Sequence, residues 1–152
     1  MKPMLLIGIA CAMLGAGCAL PLAAHAALGQ NANSVDSDGA RMHAVARTAS
    51  TQNAYSVHLI TLPSGTLVRE YVAANGTVFG VAWEGPTLPD LKSVLGAWFD
   101  AYLAAGAARR NTPLAVLGAD LVVYSGGHLR AFSGYAYLPQ ALPAGVSPAV
   151  IQ

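Results

Sequence analysis

The chain has 152 residues, with eight Lys plus Arg against seven Asp plus Glu and a formal net charge of +1. A balance this close to neutrality gives no electrostatic case for nucleic acid, whose binders carry a basic patch. The hydrophobic share of 55% is raised by the first residues and does not indicate a membrane protein.

The N-terminus has one positive charge, Lys2, then an uncharged apolar run from Met4 to Leu22 and the small-residue site Ala24-His25-Ala26. This is the layout of a signal peptide spanning residues 1–26, with cleavage between Ala26 and Ala27 and a periplasmic or secreted product. An uncleaved anchor is the rival, because the run approaches the roughly 20 residues of a membrane span. Gly8, Gly15, Gly17 and Pro21 interrupt it. A second rival is a lipoprotein modified at Cys18, although the aliphatic residue Leu14 stands one place too far upstream. Both cysteines, Cys11 and Cys18, lie in the leader. The cleaved chain is therefore cysteine-free, with no transmembrane span, and must rely on a hydrophobic core rather than disulfides.

Residues 27–54 are rich in Ala, Ser, Asn and Asp and predict a polar arm, with a short helix around residues 40–47. Asp36-Ser37-Asp38-Gly39 is read as a turn. A calcium loop needs its glycine at position six and a glutamate at position twelve, and neither is present.

From Tyr55 the residues become β-branched and aromatic. YSVHLITL, TLVREYVA and TVFGVAWE are separated by Pro63-Ser64-Gly65 and Asn75-Gly76, which predicts a three-strand meander with a three-residue and a two-residue turn. That register sets His58 opposite Glu70, Ile60 opposite Val68 and Val68 opposite Trp83. One face then carries Ser56, His58, Ile60, Val68, Glu70, Val72, Phe79, Val81 and Trp83, and is expected to meet the core. Val57, Leu59, Arg69, Tyr71 and Glu84 fall on the other.

The period next changes to that of a helix. Leu91, Val94, Leu95, Trp98, Ala101 and Tyr102 form one stripe, with Pro89 in the first turn, Thr87 or Leu88 at the cap and Asp90 complementing the dipole. Gly106 and Arg109-Arg110-Asn111 are expected to end it. Residues 114–139 supply a C-terminal hairpin turning at Gly126-Gly127, with a short extra strand at 114–117 as an option. Pro143 and Pro148 make 140–152 an irregular tail. The fold expected for 55–139 is one α+β domain: an antiparallel sheet of about five strands with the helix on one face. A sandwich or small barrel is the alternative.

Ala27-Leu28-Gly29, the stretch YSVHLITLPSGTLVREYVAANGTVFGVAWEGPTLPDL (55–91), LGAWF (95–99) and DLVVYSGGHLRAFSGYAYLP (120–139) resemble the exported bacterial proteins grouped as domain of unknown function 2844. The resemblance covers nearly all of the chain after the leader. It implies a periplasmic protein and no assigned activity, cofactor or catalytic residue.

Three candidate sites remain. A hydrolase would use Ser125 and His128, which a Gly126-Gly127 turn would set face to face, but no G-x-S-x-G elbow is present and no carboxylate in the hairpin would orient the histidine. A metal would draw on His58, Glu70 and His128, without the short ligand spacing common in zinc sites. Arg69, Tyr71, Tyr124, His128 and Arg130, with Tyr135 and Tyr137 nearby, could form a ligand or partner surface; solvated residues with apolar stems would look the same. The reading favoured is a binding or envelope-associated module without catalytic residues or cofactor, whose partner is another envelope or secreted protein.

Overall fold

The computed structural model describes residues 28–32, 40–107 and 114–152. The predicted leader, the Asp36–Gly39 turn and the Arg109–Asn111 helix end lie outside them. The fold is α+β. Among the described residues seven strands, all antiparallel, form one open sheet: β1 (Ala46–Thr51), β2 (Tyr55–Thr61), β3 (Leu67–Ala73), β4 (Val78–Gly85), β5 (Leu114–Leu117), β6 (Val122–His128) and β7 (Ala131–Tyr137), in the order β1-β2-β3-β4-β7-β6-β5.

The two strands beyond the expected five are the edges. β5 answers to the optional strand at 114–117. β1 lies in the stretch expected to be an arm, where, among the described residues, the α-helical ones are 40–41. All six of its residues are exposed; it is held by its ladder to β2 rather than by burial, so its composition carries no apolar signal. The start of the arm is no looser. Leu28 is fully buried, and residues 28–30 bond through the backbone to Val94 and Val78.

The meander has the expected register: His58 opposes Glu70, Ile60 opposes Val68, and Val68 opposes Trp83. Leu62 and Thr66 close the Pro63–Gly65 loop, with Gly65 at φ 85°. The second turn differs. Ala73 N–H donates to the Thr77 carbonyl, giving a three-residue loop, Ala74–Gly76, in which Gly76 alone has positive φ. Asn75 Oδ1 instead accepts from Thr77 N–H at 3.0 Å, the local bond that asparagine offers a turn. A β-bulge absorbs the extra loop residue: Val72 pairs with Val78, Tyr71 pairs with Gly80, and Phe79 is left over. Phe79 thus turns to the face opposite the one expected, where its ring meets Tyr55 and Tyr71.

The helix is also interrupted. α1 (Leu91–Leu95) and α2 (Phe99–Ala107) flank a tight turn at Gly96–Trp98, with Gly96 at φ 53°. Asp90 is the cap, in place of Thr87 or Leu88: its carboxylate accepts from Lys92 N–H at 3.1 Å and Ser93 Oγ at 2.7 Å. The break shifts the phase of the stripe, so Ala101 is exposed and Phe99 packs inward with Trp98 and Tyr102.

Helices and sheet enclose the main core, which includes Ile60, Val68, Val81, Trp83, Leu91, Val94, Leu95, Val123 and Ala136. Trp83 lies against Gly134, where a Cβ would come within 2.4 Å of the indole. The opposite face carries a second cluster, Tyr71, Ala73, Phe79, Ala82 and Ile151. The tail expected to be irregular covers part of it: Leu142, Val146 and Val150 pack there, and the Ile151 side chain occupies the space over Gly80.

Candidate functional site

The last hairpin turns at Leu129-Arg130, not at Gly126-Gly127, and His128 opposes Ala131. Gly127, at φ 123°, stays in the ladder opposite Phe132; a Cβ there would lie 2.3 Å from the Ala131 carbonyl oxygen. The glycines thus serve close backbone approach rather than the turn, and Arg130 takes the positive φ of 68°. Ser125 pairs with Gly134. It stands three residues from His128 on one strand, so the two side chains point to opposite faces. The serine–histidine contact that hydrolysis would need is absent.

The metal set is likewise divided. His58 and Glu70 oppose one another as expected, but His128 is at the far end of β6 on the other face. Among the described residues no group of three or more His, Cys, Asp or Glu could hold a metal ion. The Ser56 hydroxyl lies 3.3 Å from His58 Nε2, which adds a serine to the histidine–carboxylate pair. The two-residue spacing of Ser56 and His58 on one strand face is the signal for that contact. Nucleophilic serine chemistry also needs an open approach and oxyanion donors. Glu70 is 1% exposed among core side chains, and burying a carboxylate is tolerable only with polar compensation of this kind. Ser56 and His58 are half-buried beside the buried Glu70 on the core-facing side of the sheet.

The remaining candidates lie along one side of the sheet, and among the described residues no hydrogen bond, ion pair or ring contact joins them into one cluster. Arg69, Tyr71, Tyr124 and His128 all belong to the sheet face away from the helices, and Arg130 is in the turn at its corner. His128 joins this face because the turn falls later than expected; it does not share a face with buried Val123. Pairing carries one row across five strands, Leu59–Arg69–Ala82–Tyr135–Tyr124. Tyr71 is one row nearer the tail and is buried; its hydroxyl donates to the Gln152 carbonyl at 3.0 Å.

Two features give the exposed part its chemistry. Arg69 Nη2 donates to Glu84 Oε1 at 2.8 Å, with 26% and 53% of the two side chains exposed, so the charges of the row largely cancel. Tyr124, Tyr135 and Tyr137 form a stack, with centroids 5.7 and 6.4 Å apart and planes within 23°. A cavity of about 320 Å³ lies where Tyr135 and Tyr137 meet Pro148, Ala149, Ile151 and Gln152. Another, of about 420 Å³, runs between Glu84, Arg130, Phe132 and Ser133 at the hairpin end. Sequence reasoning did not identify Pro148, Gln152 or Ser133 as part of this surface. Only Ser133 could have been found, from its alternation with Tyr135 and Tyr137.

A family model described as "Protein of unknown function (DUF2844)" matches residues 24–151. The chain belongs to this family. No curated protein matches the DUF2844 chain, and no solved structure does. Among its described residues no helix is long and apolar enough to cross a membrane.

Proposed function

We propose that this DUF2844 chain is an exported binding module, periplasmic or secreted, that meets another envelope or secreted protein through the uncovered part of its outer sheet face. The observation that carries the reading is the incomplete cover of that face. The tail seals the end around Phe79 and Gly80, while the Arg69–Tyr135–Tyr124 row and the Arg130 corner are left at the surface. Tyrosine and arginine give large contact area with polar tips, which suits them to interfaces. The neutralised charge of the row suits a protein partner better than a polyanion. Export is supported by the leader layout: Lys2, the apolar run from Met4 to Leu22 and the small-residue site Ala24-His25-Ala26. A binding role rather than catalysis is supported by the separation of Ser125 from His128.

Two measurements test this. N-terminal sequencing of the exported protein should begin at Ala27; a blocked start at Cys18 would make it a lipoprotein instead. A photoreactive side chain placed at Ser133, irradiated in intact cells, should yield one specific adduct. The same group at Asp100, exposed on α2, should not. Equal or absent adducts from both positions would remove the binding reading.

A further inference from the structure

The hairpin that joins β6 and β7 puts an arginine where its turn calls for glycine. Of the two loop residues, Leu129 and Arg130, only Arg130 has positive φ, 68°. Glycine and asparagine take that conformation readily, whereas other residues crowd their Cβ against the following carbonyl. Such backbone persists where the surrounding structure holds it, and it gathers at places that bind. Here the ladder holds it, because His128 pairs with Ala131 across the turn.

The same side chain is unpaired. Arg130 is exposed and, among the described residues, its guanidinium has no hydrogen bond or ion pair. Arg69 on the same face is neutralised by Glu84 at 2.8 Å. Beside Arg130 is the cavity of about 420 Å³, whose lining includes Glu84, Pro86, Phe132 and Ser133.

We infer, on the reading of this face as a partner surface, that Arg130 and this cavity receive an acidic side chain of the partner, aspartate or glutamate, together with the apolar residue beside it. Charge selects that chemistry. Arg69 and Glu84 cancel, so Arg130 leaves the corner with one uncompensated positive charge, which a single carboxylate neutralises. A guanidinium fork meets a carboxylate through two parallel hydrogen bonds. A phosphate, with its further negative charge, would be repelled by Glu84 in the same cavity. Pro86 and Phe132 offer apolar surface to the residue next to the acid. The positive φ fixes the direction in which the arginine leaves the turn, so the chain carries local strain at the residue that makes the contact.

The test is a titration of the purified protein with a blocked leucine–glutamate–leucine tripeptide, followed through the Arg130 Nε–H and Ser133 amide NMR signals. Its glutamine counterpart, that counterpart with a free C-terminal carboxylate, and inorganic phosphate serve as comparison ligands. Saturable shifts are expected at millimolar glutamate peptide, with binding about tenfold weaker for the glutamine peptide. Arg130→Gly and Arg130→Asn should each weaken binding by about tenfold or more. Arg130→Gly should also leave the melting midpoint unchanged or raise it, since glycine relieves the crowded Cβ. No saturable shift, an equal response to the glutamine peptide, a stronger response to phosphate or to the free C-terminus, or binding that survives Arg130→Gly would overturn the inference. So would a fall in the midpoint on Arg130→Gly, which would make the arginine a structural residue. Arg130 shifts on concentrating the protein alone would assign the corner to a second copy and overturn it too. In cells, a Ser133 adduct that persists in the Arg130→Gly chain would reject the carboxylate and retain the surface. No adduct in the unsubstituted chain would reject the surface itself.

Discussion

The two faces of the sheet are built from the same strands and closed in different ways. The inner face meets α1, α2 and residues 28–32 along its middle strands, and its apolar side chains are sealed against them. The outer face has only a tail of about a dozen residues, held through Ile151 over Gly80 and through Tyr71 to Gln152. Stability is therefore concentrated on one side. The outer side divides into a small core near the bulge and an open row of paired charges and tyrosines. A single sheet can thus give one surface to the fold and part of the other to recognition.

Substitutions on the two faces should differ in size and in reach. Trp83→Ala empties the largest side chain of the inner core and should cost about 3–5 kcal/mol, seen as a loss of cooperative melting or a large fall in its midpoint. A cost under about 1 kcal/mol would mean that the inner face is not the main source of stability. Ile151→Ala should cost about 2 kcal/mol, at the low end for such a truncation because the tail can lift away while the sheet persists. Hydrogen exchange should then quicken in residues 142–152 and leave β6 and β7 protected; uniform loss of protection would make the tail part of the main cooperative unit. Tyr71→Phe removes the hydroxyl that donates to the Gln152 carbonyl and accepts from its N–H, and should cost about 1 kcal/mol in urea unfolding. Arg69→Ala should shift stability by less than about 1 kcal/mol, and the shift should shrink in high salt. A larger, salt-insensitive effect would show that the row is structural.

The β2–β3 register was legible in the sequence because the Pro63–Gly65 loop sets it, whereas the β3–β4 register from Gly80 onward matches a two-residue Asn75-Gly76 turn only because the three-residue loop and the bulge at Phe79 cancel. Strand alternation in β3 placed Arg69 on the outer face, whereas a Gly126-Gly127 turn would have set His128 on the face of Val123, and it lies beside Tyr124's face only because the chain turns at Leu129-Arg130. The turn at Gly126-Gly127 was misread because glycine permits positive φ and close backbone approach alike, and here approach to the Ala131 carbonyl decides. β1 was invisible because its six residues satisfy backbone bonds without burying side chains. The docking of the tail depends on contacts between residues far apart in the chain, such as Ile151 with Gly80, and no local pattern encodes those.

The three-residue loop at Ala74–Gly76 and the bulge at Phe79 are offsets of one residue that cancel, so the ladder from Gly80 onward runs as a two-residue turn would have set it. Phe79 is the surplus that this cancellation leaves behind. Pointed inward, it would leave the outer layer with Tyr55 and Tyr71 and a gap between them. One wall of the berth of the C-terminal segment, some seventy residues downstream, is thus set by how a short hairpin disposes of one extra residue. Shortening that loop by a single position would leave the strand order and the Gly80 and Tyr71 anchors intact and take the Phe79 ring out of the layer on which the tail packs.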